Sequence, residues 1–181
     1  MSAPSSIVRP PRPAATVLVL RDAPSGPEVF MVRRHERTPF MGGAYVFPGG
    51  RVDAGDRGVA DERWCEGIAE AAAQMASVPP TEAVAFHVAA ARELFEEAGV
   101  LLARGPTGRF ASLAGLEIHT RFRQYRADVH SGNGTLRDVI EREALRLALD
   151  SLVLFAHWVT PPVETVETVE TVETQNSVNG N

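Results

Sequence analysis

Apolar residues in this 181-residue chain fall first into short β-branched runs and later into helical spacing. Residues 14–20 (AATVLVL) are continuous, apolar and valine-rich, and predict a buried strand. A turn cluster at 22–27 separates them from 29–34 (VFMVRR), a second strand, so the pair reads as a hairpin. Residues 44–47 (AYVF) predict a third strand, ending at Pro48-Gly49-Gly50. The period then changes. Residues 61–77 are Ala-rich, with Trp64, Ile68 and Met75 on one side, and predict a helix that Pro79-Pro80 stops. A longer helix is predicted over 81–98, with Thr81 as N-cap and Gly99 just past its end. Two more are predicted at 116–130 and 136–149, and residues 151–160 (SLVLFAHWVT) are again strand-like.

The two ends differ from this pattern. Residues 1–13 are proline-rich and predict a disordered lead. Residues 163–174 are four Val-Glu-Thr triplets, followed by a polar stretch to 181. A period of three suits neither strand nor helix, so 163–181 predicts a disordered tail. The domain proper is expected over 14–162, with the helical stretch at about 57–80 as an excursion outside its core.

Charge and composition then exclude several functions. The net charge is −5, and all 18 basic residues are Arg. Without Lys there is no P-loop, and the mild acidity argues against non-specific binding of nucleic acid. One cysteine, Cys65, excludes a disulfide framework or a Cys-rich zinc site. No run is long and apolar enough to span a membrane, so no membrane partner is expected and the expected compartment is the cytoplasm. The five histidines have no metal-ligand spacing.

Two segments carry candidate chemistry. One is Phe47-Pro48-Gly49-Gly50-Arg51-Val52-Asp53-Ala54-Gly55-Asp56, a strand leading into a glycine-rich loop. The other is Arg92-Glu93-Leu94-Phe95-Glu96-Glu97-Ala98-Gly99-Val100, a helix end. Glu93, Glu96 and Glu97 stand at i, i+3 and i+4, which places three carboxylates on one helical face. Such a face is either a solvated acidic surface or a seat for a hard divalent cation that relieves the repulsion. Arg92 is spaced to steady Glu96. Arg33, Arg34 and Arg37 either contact phosphates through bidentate hydrogen bonds or form solvated surface charge. Asp53 and Asp56 are either supporting acids or exposed loop acids.

Together the two segments resemble the Nudix box: Gly, five residues, Glu, seven residues, then Arg-Glu-aliphatic-x-Glu-Glu-x-Gly-aliphatic. Arg92, Glu93, Leu94, Glu96, Glu97, Gly99 and Val100 fit its second half, and Gly50 fits its first position. Asp56 stands where the pattern has its first Glu, and 35 residues, 57–91, replace the spacer of seven. A branch similar to the peroxisomal acyl-coenzyme A diphosphatases carries an insertion at this point, and residues 45–50 and 157–161 resemble it.

The resemblance implies an α+β fold, a Nudix-type α/β/α sandwich with a mixed sheet. It also implies hydrolysis of a nucleoside diphosphate linked to another group, with coenzyme A or acyl-coenzyme A as the candidate. Glu93, Glu96, Glu97 and Arg92 become the candidate catalytic residues. Glu93, Glu96, Glu97 and the Gly50 carbonyl become ligands for Mg²⁺, with Mn²⁺ as the alternative. Arg33, Arg34, Arg37, Gly49 and Gly50 become substrate contacts. After Pro162 the family continues with further strands and a helix where this chain has its repeat, so the domain is expected to be C-terminally incomplete. That predicts self-association through an open sheet edge at 152–160. The alternative function is an inactive remnant or nucleotide-binding module that retains the box.

Overall fold

The computed structural model describes residues 7–9, 11–37, 41–159 and 163–165. The chain divides into two compact units. One joins its two ends, Met1–Pro11 with Trp158–Asn181. Its described part is an antiparallel pair, β1 (Ile7–Arg9) with β11 (Val163–Thr165), in which Ile7 faces Thr165 and Arg9 faces Val163. Residues 1–13 and 163–181 are expected without order, and within them 7–9 and 163–165 are strand. Three residues are too few for the triplet period to matter, and Val and Thr favour a pleated strand. The rest of the repeat lies outside the described residues.

The second unit, Arg12–His157, holds the remaining elements. The expected strand at 14–20 changes partner midway. β2 (Ala14–Thr16) pairs with a strand after the glycines, while β3 (Val19–Arg21) pairs with β4 (Glu28–Phe30) as a hairpin. Only Val17 of this run is buried, and Leu18 and Leu20 are exposed. The expectation of a fully buried strand therefore fails: among the described residues, β3 and β4 pair only with each other. β5 (Val32–Arg33) pairs with β6 (Tyr45–Val46), and β7 (Gly49–Arg51) pairs antiparallel with β2. The expected glycine-rich loop is therefore partly strand, with Gly50 facing Ala15.

α1 (Ala54–Val59) follows, closed by a capping box between Asp53 and Asp56. The single helix expected at 61–77 is two elements. The N–H groups of Trp64 and Cys65 turn back onto the Asp61 carbonyl, β8 (Cys65–Glu66) enters a sheet, and only α2 (Ile68–Gln74) is helical. α3 (Pro80–Ala98) is the long helix. Pro79, not Thr81, is its N-cap, and Pro80 sits at the first helical position, where a missing N–H costs nothing. Gly99 ends it at φ 70°, donating to the Phe95 carbonyl.

β9 (Ala103–Arg104), α4 (Leu116–Ser131), α5 (Leu136–Arg142) and β10 (Arg146–Ala148) complete the unit, followed by one 3-10 turn, Leu149–Ser151. The helix expected at 136–149 stops early because Leu147 and Ala148 are fully buried in a three-stranded sheet and Leu149, also fully buried, starts the 3-10 turn. β10 is its middle strand, parallel to β8 and antiparallel to β9. Residues 152–159 form no strand. Gln74 holds them through its side chain, donating to Leu152 O at 3.0 Å and accepting from Leu154 N–H.

α3 is buried on two faces. Val84, Val88, Ala91 and Phe95 enter the largest apolar cluster, with Trp64, Phe122, Ile140, Leu147 and Leu149. Its other face meets the β2–β7 ribbon: Ala90 and Leu94 pack with Val17, and Ala85 and Ala89 with Val52. The small alanines bring that ribbon close to the helix. The segment at 57–80 is therefore not an excursion, because Val59, Trp64, Cys65 and Ala71 belong to the main core. Among the described residues, no helix is long and apolar enough to cross a membrane.

Candidate active site

The last two turns of α3 carry Glu93, Glu96 and Glu97, and β7 runs past them. The Gly49 N–H donates to Glu97 Oε2 at 3.0 Å. A Cβ at Gly50 would collide with the Glu93 carboxylate, and one at Gly49 with the Ala15 carbonyl oxygen. Glycine at 49 lets the strand lie this close to the backbone of its partner, and glycine at 50 leaves the Glu93 carboxylate its place.

Arg92 binds the group together. Its Nη1 donates to Glu93 Oε1 and to Glu96 Oε1, both at 2.8 Å. Its Nε and Nη2 form a fork on Asp56, at 2.8 and 3.1 Å, and Nη2 also reaches the Arg51 carbonyl at 2.8 Å. Asp56 is 2% exposed, and its third bond comes from the Asp53 N–H at 2.7 Å. One guanidinium thus joins α1, β7 and α3. Burial works against its charge, but hydrogen bonds to Asp56 and Glu96 outweigh this and hold its pKa above the ordinary arginine value. Burial also pushes the Glu93 carboxyl up, Arg92 opposes the shift, and Glu96 and Glu97 add to it.

α4 closes the other side. Arg126 donates from Nε to the Glu96 carbonyl at 2.6 Å and from Nη2 to the Glu97 carbonyl at 2.7 Å. One turn later, His130 Nδ1 lies 3.7 Å from Glu96 Oε2. A cavity of about 870 Å³ opens here, lined by Asp53, Arg92, Glu96, His130, Arg137 and others. Arg137 is held in its wall between the Trp64 ring, 4.1 Å away, and Glu141 at 2.8 Å.

The residues named from sequence separate into two groups. Glu93, Glu96, Glu97, Arg92, Gly49 and Gly50 converge. Arg33, Arg34 and Arg37 line a different, open pocket of about 560 Å³ with His35 and Glu36. Arg33 donates to the Gly43 carbonyl and to Glu36, and the Arg34 backbone pairs with Ala44 and Gly43. The Arg37 N–H donates to His35 Nδ1. The two aspartates also differ: Asp56 is buried on Arg92, whereas the Asp53 side chain is 66% exposed. Arg126 and His130 were missed. They lie about 30 residues beyond the glutamates, and their only sequence signal is an i, i+4 spacing that many helices share.

All the side-chain acceptors here are hard oxygens. The bonds described use Oε1 of Glu93, Oε1 of Glu96 and Oε2 of Glu97. The carboxylates aim at Arg92 and the Gly49 N–H rather than at one point. Among the described residues, no three His, Cys, Asp or Glu side chains form a ready metal cage.

No protein-family model matches the chain. The structure is similar to the crystal structure of a NUDIX hydrolase from Alicyclobacillus acidocaldarius, with a TM-score of 0.66 and 29% sequence identity. The match covers 83% of this chain and 63% of that one, so this chain spans less than two thirds of its neighbour's length. The fold is α+β with a Nudix hydrolase as structural neighbour.

Proposed function

We propose that the chain is a Nudix-family pyrophosphohydrolase acting on a nucleoside diphosphate linked to another group. The observation that carries this reading is the packing of Gly49-Gly50 against Glu93 and Glu97, with Arg92 joining Glu93, Glu96 and buried Asp56. The similarity to a NUDIX hydrolase supports it. Coenzyme A or acyl-coenzyme A is the candidate substrate. It rests on the likeness of residues 45–50 and 157–161 to the acyl-coenzyme A diphosphatase branch and on the long segment 57–91.

The donor set fits a hard divalent cation, Mg²⁺ or Mn²⁺: three carboxylates on one helical face and a backbone carbonyl at a position with no Cβ. Glu93, Glu96, Glu97 and the Gly50 carbonyl would hold it. When bound, the cation supplies charge neutralisation for the phosphates and acidifies a water. The chain itself does the rest. One carboxylate of the Glu93, Glu96 and Glu97 cluster takes the proton of the attacking water. That water's oxygen bonds to one phosphorus, and the bridging oxygen leaves with the other. Arg92 holds Glu93 and Glu96 against their mutual repulsion throughout. Arg33, Arg34 and Arg37 remain candidate phosphate contacts at the open pocket they line.

The test is product analysis after incubation with Mg²⁺ and a panel: coenzyme A, acyl-coenzyme A, a nucleoside diphosphate sugar and a dinucleotide polyphosphate. Cleavage to two phosphorylated products, abolished by chelator, is expected. Binding without turnover of any member would make the chain a nucleotide-binding module. Full turnover in excess chelator would remove the carboxylate site from the chemistry.

A further inference from the structure

We infer that Arg126 is a positioning residue for the carboxylate site, holding the main chain that bears Glu96 and Glu97. The inference rests on the hydrolase reading above. A helix leaves its last carbonyls without partners, and the negative end of its dipole lies there. In α3 those carbonyls belong to residues that carry carboxylates, so negative charge accumulates twice at one place. Arg126 meets both effects. Its planar fork takes the carbonyls of Glu96 and Glu97 at 2.6 and 2.7 Å. Arg92 fixes the Glu93 and Glu96 carboxylates from within α3, while Arg126 fixes the backbone beneath Glu96 and Glu97 from α4.

The fit around Arg126 is close. Gly99 adopts φ 70°, and a Cβ there would stand 3.3 Å from Arg126 Nη1. The helix end, the glycine that turns the chain and the guanidinium therefore occupy one packed volume. Lys cannot replace the fork, because an ammonium is a point charge without the paired geometry. α4 is anchored by Phe122 and Val129, both buried in the main core, so the clamp stands on a rigid base. The region beyond the box thereby takes part in the site rather than only covering it.

The test is Mn²⁺ affinity, by calorimetry, of the whole chain in wild-type, Arg126→Lys and Arg126→Met forms, with fold and melting temperature checked by circular dichroism. Arg121→Met, on the same helix as Arg126, removes the pair with Glu143 and the guanidinium over the Phe122 ring without touching the carboxylate site, and is the control. Expected is a loss of about 10-fold in affinity for Arg126→Met and at least about 3-fold for Arg126→Lys, the scale of outer-sphere ligand support. The control should bind as the wild type does. Arg126→Lys keeps the charge at the helix end, so it folds even where Arg126→Met does not, and it decides the question. Wild-type affinity in folded Arg126→Lys overturns the inference while leaving the hydrolase reading intact. A wild-type chain that binds no Mn²⁺ sinks both.

Discussion

Arg92 and Asp56 show how one buried pair organises a site. Asp56 sits where the Nudix pattern has its first glutamate, and its shorter side chain still reaches Arg92 at 2.8 Å. Removing the guanidinium leaves a 2%-exposed carboxylate without its cation, so Arg92→Met should lower stability by about 3–5 kcal/mol in urea denaturation. The glutamates behave differently. Glu96→Gln and Glu97→Gln keep shape and lose charge, and each should reduce hydrolysis by about 100-fold or more in steady-state assays. Glu93 adds a pH signature. Its carboxyl is raised in the fold, so the folded chain holds that proton more tightly than the unfolded one. Its contribution to stability is present below the ordinary glutamate pKa of about 4.3 and is lost as pH rises through the raised value. Glu93→Gln never ionises. Its melting temperature should exceed wild type at about pH 7, and the gap should close toward about pH 4. A gap that is constant across that range would assign the effect to packing alone.

At the scale of elements, the segment between the two box halves carries the sharpest expectation. Deleting 57–80 should abolish cooperative unfolding in a thermal melt, because it removes Val59, Trp64, Cys65 and Ala71 from the main cluster and β8 from its sheet. A deletion variant with a wild-type melt would return the segment to the status of an excursion. The sequence made α3 legible almost to the residue, since alanine content, three spaced glutamates and Gly99 all point one way. The site was legible for the same reason: its carboxylates lie within one helix and its glycines in one short strand. What local pattern could not show was pairing over long separation. Leu147 joins Cys65 across a parallel ladder, and that contact overrides the helical spacing of 136–149 and 61–77. Arg126 and His130 were hidden by the same distance. Over 152–159, the described part of the strand expected at 151–160, the cause is opposite: the apolar residues suit a sheet, but the backbone at Leu152 and Leu154 is bound by the Gln74 side chain instead.

At the scale of the whole molecule, the apolar surface of the larger unit matters most. Val153 and Phe155, two residues apart, are 85% and 84% exposed. Leu20 and Phe30 of the β3–β4 hairpin are exposed as well. Surface of this kind favours association, so light scattering at rising concentration should show oligomers that Phe155→Asp disperses. A monomer at all concentrations would remove this expectation. The double burial of α3 has a consequence in time as well. Neither the β2–β7 ribbon nor the three-stranded sheet has a floor until that helix exists, and β10 finds β8 only by closing a long loop. Helix formation is local and fast, whereas long-range ladder pairing is slow. The expected order is that α3 condenses early and the ladder closes late, which stopped-flow φ-values at the two places would check. Substitutions such as Ala89→Gly should therefore act mainly on the folding rate, and those at Leu147 mainly on the unfolding rate.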